Sequence, residues 1–532
     1  MTTGADIIGQ ALAQAGCTRA FGIPGGEVLA LMEGLRAAGL SFHLTKHETA
    51  AGFMAEGFWH ATGAPGVLVA TIGPGVANAV NVVANAHQDR VPLIFLTGCV
   101  DRADEETYTH QIFDHQAVLR PIVKGSFRAE RGALGPMLDK ALALALSGQP
   151  GPVHIDVPIS VAEAQTDERP ARVPQLPRLG VDPEGLTRLR AALERAERPI
   201  AIAGLDAVNE GAGPALAAFC EAQKIPLLTT YKGKGLMDED HPLCLGGHGL
   251  SPKSDGLMMP LIGQADLILL LGYDPIEMRL GWRDPWHDGQ EVFEVAPVAR
   301  DHGMHWTTET LVAPLGPVLE ALMDAPQPAR WELGAPAAAR DALRAAFAHR
   351  PAFGPGAVFE TLREAMPPET VITLDSGAHR ILASQMWRAP GPRQVLQSTA
   401  LCTMACALPI AAGFKMGAPQ TPVVAILGDG GLEMGLGELA TLREHGLPVI
   451  LCVLVDESLT LIEMKQRAGQ RPNLGVDFTG SDFPALAQAL GGHGVWVDDA
   501  DTLRQEATQA MARPQFTLLA CRIGPRAYDG TF

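Results

Sequence analysis

Gly428-Asp429-Gly430-Gly431 and Val455-Asp456-Glu457-Ser458, the second starting 24 positions after Gly431, place two carboxylates where they could share a divalent cation and a polyanion. Each segment closes a short apolar, β-branched run, 422–427 and 449–455, that reads as a buried strand. Between them, residues 432–445 carry apolar side chains at helical spacing and stop at Gly446-Leu447-Pro448. Strand, helix, strand makes the two strands parallel, so Asp429 and Asp456 leave the sheet at the same edge, where open α/β sheets bind ligands. Glycines there let an anion approach the backbone. Magnesium takes oxygen ligands in octahedral order, and two carboxylates plus a loop carbonyl leave positions for phosphate oxygens and water. Taken singly, either Asp could equally cap a helix or a turn.

Other segments bear on that choice. Ser41-Phe42-His43-Leu44-Thr45-Lys46 alternates like a strand and leads into His47-Glu48-Thr49-Ala50, where an acid at a helix start would suit the dipole. Phe21-Gly22-Ile23-Pro24-Gly25-Gly26 and Thr71-Ile72-Gly73-Pro74-Gly75-Val76-Ala77-Asn78 are glycine-rich turns after apolar runs. Asp375-Ser376-Gly377-Ala378-His379 and Leu401-Cys402-Thr403-Met404-Ala405 precede the cation motif.

Together these segments resemble the thiamine diphosphate enzymes, in the branch that contains acetolactate synthase, pyruvate oxidase and related 2-oxo acid decarboxylases and carboligases. The family signature is Gly-Asp-Gly, this interval, then Asn-Asn; this chain has Val455-Asp456 there, which keeps an oxygen at the ligand position and adds a charge. The resemblance implies a metal site of Asp429, Asp456 and a main-chain oxygen near Ser458. It implies that Glu48 holds a proton at the cofactor's aminopyrimidine ring. Cofactor contacts carried over are Ile23, Pro24, Gly25, Pro74 and Asn78 on one side. On the diphosphate side they are Gly377, His379, Gly428, Gly430, Gly431, Leu459 and Leu461, with Met404 as the apolar prop for the bent cofactor. Gln111 matches a family glutamine, while His110 and His115 depart from the pattern and are candidate proton handlers.

The activity implied is thiamine diphosphate- and Mg2+-dependent decarboxylation of a 2-oxo acid, followed by protonation or carboligation of the enamine intermediate. Glu463 and Lys465 stand where acetolactate synthase carries channel-lining residues of other types, which disfavours a strict acetolactate synthase. FAD is not expected: Gly272-Tyr273-Asp274-Pro275-Ile276-Glu277-Met278-Arg279 matches the family's FAD loop poorly, and no Gly-x-Gly-x-x-Gly opens a helix nearby. Two rival readings stay open, a carboligase proper and a catalytically silent paralogue acting as an oligomeric scaffold. Sites of this family form between subunits, so a homodimer or homotetramer is implied.

The 532 residues are 47% hydrophobic and 19% charged, enough for about three domains. A formal charge of −18 without a basic run gives no nucleic-acid footprint. No apolar segment reaches membrane length and the N-terminus lacks a leader pattern, so a cytoplasmic protein is expected. The expected architecture is three doubly wound parallel-sheet α/β domains, 1–164 (pyrimidine-binding), 185–325 (central) and 355–532 (diphosphate-binding), the first and third being distant copies of one architecture. Linkers are expected at 165–180 and 325–355. The eight cysteines form no Cys-x-x-Cys pair; Cys402 and Cys406 are expected to share a helix face, as core packing.

Overall fold

The computed structural model describes residues 2–532 apart from 170, 173–175, 177, 178, 301, 324–330, 332, 333, 349–351 and the side chain of Glu277. Its apolar runs become three six-stranded sheets in which every strand pairing is parallel. Parallel strands need crossover helices over both faces, which is why strands such as Leu93–Cys99 and Ile450–Val455 are largely apolar and buried at every position.

The first sheet contains β1 (Arg19–Ile23), β2 (Ser41–Leu44), β3 (Gly66–Ala70), β4 (Leu93–Cys99), β5 (Gly125–Arg128) and β6 (Val153–Pro158), in the order β2-β1-β3-β4-β6-β5. The second has β7 (Pro199–Ala203), β8 (Leu227–Thr230), β9 (Cys244–His248), β10 (Leu267–Leu271), β11 (Glu291–Ala296) and β12 (Glu309–Val312), ordered β12-β11-β10-β7-β8-β9. The third has β13 (Val371–Leu374), β14 (Val395–Gln397), β15 (Val423–Gly428), β16 (Ile450–Val455), β17 (His493–Val497) and β18 (Thr517–Arg522), ordered β14-β13-β15-β16-β18-β17. Strand for strand, the third sheet repeats the topology of the first. The middle sheet has the dinucleotide-fold order instead.

The outer two units share one core. Helix Glu48–Thr62 crosses helix Ala407–Gly417 so closely that a Cβ on Gly57 would lie 2.1 Å from the Ile410 carbonyl oxygen, and one on Gly413 1.9 Å from that of Met54. Phe53, Met54 and Phe58 pack there with Ile410, Ala411 and Phe414. At the carboxyl edge of the middle sheet, Arg300 pairs with Asp206 at 2.8 Å and Glu294 at 3.1 Å, and Arg90 with Asp274 at 3.0 Å.

Three expectations are corrected. Residues 432–445 do not form one helix: Asp429–Met434 and Glu438–Glu444 are separated at Gly435-Leu436-Gly437, because two glycines carry the lowest helix propensity of any residue but proline. The second expected linker, partly outside the described residues, contains helix Ala335–Ala346, which packs on the middle unit. Cys402 and Cys406 share no helix face: Cys402 is exposed with φ of 58°, and Cys406 is the buried residue capping helix Ala407–Gly417. The expected linker at 165–180 also lies partly outside the described residues. Among the described residues no helix is long and apolar enough to cross a membrane.

Candidate functional site

β15 and β16 pair directly, with Gly428 opposite Leu454, so the residues that follow them emerge side by side. Asp429 opens a short helix capped by Gly428 and is 1% exposed. Its Oδ2 accepts from the amides of Asp456 at 3.1 Å and Glu457 at 2.7 Å, and its Oδ1 from Gly430 at 2.9 Å, which clamps the two loops together. Burial raises the Asp429 carboxyl above its ordinary range despite those amides. Asp456 is pushed up to about 7, first by burial and then by the Asp429 charge, against the hydroxyl of Thr460, which donates to its Oδ2. Two adjacent carboxylates, Asp429 buried and Asp456 half-buried, both with raised pKa, are a donor set that a divalent cation would relieve.

These acids line a cavity of about 750 Å³ with Gly377, His379, Met404, Gly428, Gly430, Gly431, Ser458, Leu459 and Leu461. The cavity thus gathers every residue expected on the metal and diphosphate side. Two buried polar atoms on its wall, His379 Nε2 and Ser376 Oγ, have no hydrogen-bond partner among the described residues. Burial first, then the neighbouring Arg380, lowers His379 to about 3, so its ring is neutral. Close backbone approach is built in: a Cβ on Gly431 would meet Asp375 Oδ2 at 2.1 Å, and one on Gly377 the His379 ring at 2.6 Å. Unpartnered polar atoms, bare backbone and paired carboxylates fit a diphosphate held through a divalent cation.

Met404 sits in a turn held from below. Asp375, fully buried at the end of β13, accepts from the amides of Ala405 and Cys406 at 3.0 Å each. Ala405 has φ of 63°, and the carboxylate anchor holds it in that unfavourable region. The same anchor explains why Cys402 and Cys406 leave the helical pattern.

The remaining expected residues gather elsewhere, at the carboxyl edge of the first sheet. Glu48 is the first residue of helix Glu48–Thr62 and only 5% exposed. The Asn78 side-chain amide donates to Glu48 Oε2 at 3.0 Å, and the Thr49 hydroxyl donates to the Asn78 carbonyl at 2.7 Å. Ile23 ends β1 and Pro24 and Gly25 follow it, where a Cβ on Gly25 would meet Thr71 Oγ1 at 2.1 Å. Pro24, Pro74 and Asn78 are exposed in the single chain. None of these residues lines the cavity.

His115 does not reach the surface. Its Nε2 accepts from the Gly73 amide at 3.2 Å, and its Nδ1 donates to Asp156 at 2.8 Å, so the proton sits on Nδ1. Burial works against the Asp156 charge, yet hydrogen bonds from His115 and His154 hold its carboxyl well below the usual carboxylate range. His115, His154 and Asp156 lie close enough to hold a metal. Their atoms are already spent on Gly73, Thr97, Ser126 and one another. His115 therefore supports the Gly73-Pro74 turn. His110 and Gln111 are exposed, Gln111 with φ of 61° beneath Gly73.

One feature went unread in the sequence. Asn78, Asn81, Asn85 and Asp89 form a polar stripe along helix Pro74–Gln88 and its C-cap. Asn81 meets Thr403 at 2.9 Å, and Asn85 meets Ser398 at 2.6 Å and Glu56 at 3.1 Å. Asp89 accepts from the amides of Thr399 and Ala400 and pairs with Lys232 at 2.7 Å. The stripe ties Glu48 at one end to the approach to Met404 at the other. Its spacing was legible; its partners in 398–403, more than 300 residues away, were not.

Comparison with known proteins bears on the family. Residues 2–118 match the family described as thiamine pyrophosphate enzyme, N-terminal TPP binding domain; 186–322 match its central domain and 375–521 its C-terminal TPP binding domain. A probable 2-ketoarginine decarboxylase of Pseudomonas aeruginosa is 32% identical over 98% of this chain and 94% of its own length. A probable acetolactate synthase large subunit of Methanocaldococcus jannaschii is 29% identical over 98% and 92%, and an acetolactate synthase of Bacillus subtilis 27% identical over 96% and 91%. With three matched domains, two of them cofactor-binding, the chain belongs to the thiamine diphosphate enzymes, on their acetolactate synthase-like branch.

Proposed function

We propose that the chain catalyses thiamine diphosphate- and Mg2+-dependent decarboxylation of a 2-oxo acid, at sites where the Glu48 edge of one subunit faces the Asp429 edge of another in a homodimer or homotetramer. The observation that carries the reading is the meeting of Asp429 and Asp456 on a cavity wall that also holds the unpartnered His379 Nε2 and Ser376 Oγ. The cofactor, when bound, supplies a nucleophilic carbon for the substrate carbonyl and an electron sink as carbon dioxide leaves.

The protein's part is to hold and to move protons. Asp429, Asp456 and the Ser458 carbonyl hold the cation. Gly377, Gly428, Gly430, Gly431 and His379 receive the phosphates, and Met404, Leu459 and Leu461 give apolar support. Glu48 keeps Oε1 free for a proton while Asn78 occupies Oε2. Ile23, Pro24, Gly25 and Pro74 face the same ring from the first sheet's edge. Gln111 and His110 stand on an exposed loop beside that edge, as candidates to meet the substrate. His115 acts through Gly73.

Exposure of Pro24, Pro74 and Asn78 in one chain, beside a cavity that lacks them, supports the two-subunit arrangement. FAD is left out: the ion pairs of Arg300, Asp206, Asp274 and Glu294 fill the middle sheet's binding edge with the chain's own side chains. Transfer to a second carbonyl compound is the second reading, favoured by the relatives named acetolactate synthase. A screen of 2-oxo acids for carbon dioxide release, with products analysed with and without added aldehyde, tests both. Flat calorimetric titration with thiamine diphosphate and Mg2+ would instead support a scaffold.

A further inference from the structure

Two basic side chains on the cavity wall, Arg279 and Lys465, have no part in the proposed cation and diphosphate contacts. Helix Thr460–Ala468 turns Leu461, Met464, Lys465 and Ala468 toward the cavity, the i, i+3, i+4 and i+7 positions of one face. Glu463 lies off that face and is paired with Arg467 at 3.0 Å, so it leaves Lys465 uncompensated. From the middle domain, Arg279 reaches the same cavity. Buried Asp255 accepts from Arg279 Nε at 2.6 Å and from Trp282 Nε1 at 3.0 Å. That fixes the guanidinium while its two terminal nitrogens stay without a partner among the described residues.

Asp255 offsets Arg279 from behind, whereas Lys465 has no acid partner among the described residues. Asp429 and Asp456 are the acidic residues on the cavity wall, and both belong to the cation site. The third basic residue, Arg380, is spent on the Ser398 carbonyl and Cys402 Sγ. The wall also includes the apolar side chains of Leu250, Ile381 and Phe532.

Such cations are ill suited to the carboxylate that departs. A group leaving as carbon dioxide loses its charge on the way to the transition state, so pairing it with a cation stabilises the reactant more and slows the reaction. A carboxylate that stays on the substrate carries no such penalty, and a guanidinium fork matches its geometry. We infer that the substrate is a 2-oxo dicarboxylic acid, its retained carboxylate held by Arg279 and Lys465. This deepens the proposed decarboxylation and rests on it.

Carbon dioxide release by the holoenzyme from 2-oxoglutarate, 2-oxopentanoate and 5-guanidino-2-oxopentanoate tests the inference. We expect kcat/KM for the dicarboxylate to exceed that for 2-oxopentanoate by about tenfold or more, with the guanidino acid last. R279M and K465M each collapse that ratio by about tenfold, and R279K keeps more of it than R279M. Calorimetry of glutarate against pentanoate, both incapable of decarboxylation, gives the same comparison without turnover. Tighter binding of glutarate that R279M abolishes, with no 2-oxo acid decarboxylated, would sustain the anion subsite and sink the decarboxylase reading. Turnover of 2-oxopentanoate equal to 2-oxoglutarate, with glutarate binding no tighter than pentanoate, would overturn the inference and leave decarboxylation standing. Neither turnover nor glutarate binding would overturn both.

Discussion

Asn78 and Glu48 are joined by a 3.0 Å hydrogen bond from a side-chain amide to a carboxylate, each residue lying in the first turns of its own helix. The bond takes Oε2 and turns Oε1 toward Gly75, where a Cβ would come within 3.4 Å of it. A bulkier residue at position 75 would crowd the oxygen that the proposed chemistry needs.

E48Q should fold normally and still take up thiamine diphosphate, yet lose turnover by about 10²–10⁴-fold, the scale of a positioned proton-transfer group. Far-UV circular dichroism, cofactor titration and carbon dioxide release together check this. Near-normal turnover would remove Glu48 from its role. D429A should instead weaken metal-dependent cofactor binding first.

N78A leaves the Glu48 carboxylate in place but unheld. Turnover at saturating cofactor should fall by roughly tenfold, as expected when a catalytic group loses its orienting bond. Steady-state kinetics at saturating Mg2+ separates this from weakened binding.

Metal affinity should depend on pH through Asp456. Its carboxyl, raised to about 7, binds a proton in competition with the cation, so affinity falls by about tenfold per unit below that value and levels above it. D456N should flatten the profile. Mg2+ titrations at about pH 6, 7 and 8 distinguish the two.

Glu56 links stability to pH. Burial, opposed by Lys232 and Asn85 and reinforced by Asp89, raises its carboxyl to about 8 from an ordinary 4.5. The folded chain therefore holds this proton more tightly than the unfolded one. Its contribution to stability is fully present below about 4.5 and is lost as pH rises through about 8. Thermal melts of E56Q should lose that downward slope relative to the unmodified chain; parallel curves would contradict it.

G413A inserts a Cβ 1.9 Å from the backbone oxygen of Met54, which cannot yield as a side chain can. The crossing of the two central helices should loosen at a cost of ~1–3 kcal/mol or more. A depressed melting temperature, with cofactor affinity reduced alongside, is the expected result.

Strands and their edges were legible because parallel strands, buried on both faces, leave continuous apolar runs such as 422–427. That Asp429 and Asp456 leave one sheet edge side by side was legible from the strand, helix, strand spacing; their role as a metal pair was read from the family resemblance. Helix continuity through Gly435 and Gly437 was misread because apolar periodicity continues across a break that two glycines impose. The turn at Cys402 to Cys406 was misread because its shape comes from Asp375, 30 residues earlier. Pairings such as Asp255 with Arg279 and His115 with Asp156 leave no local signature. They exist only once the sheets bring distant loops together.

The wall of the cavity beside Asp429 begins at Leu250 and includes nothing earlier. On the proposed arrangement, a chain crippled by E48Q and another crippled by D429A would assemble with both faults in one pocket and neither in the other. Two inactive gene products would then rescue each other when co-expressed, while two alleles damaged at the same edge would stay silent together.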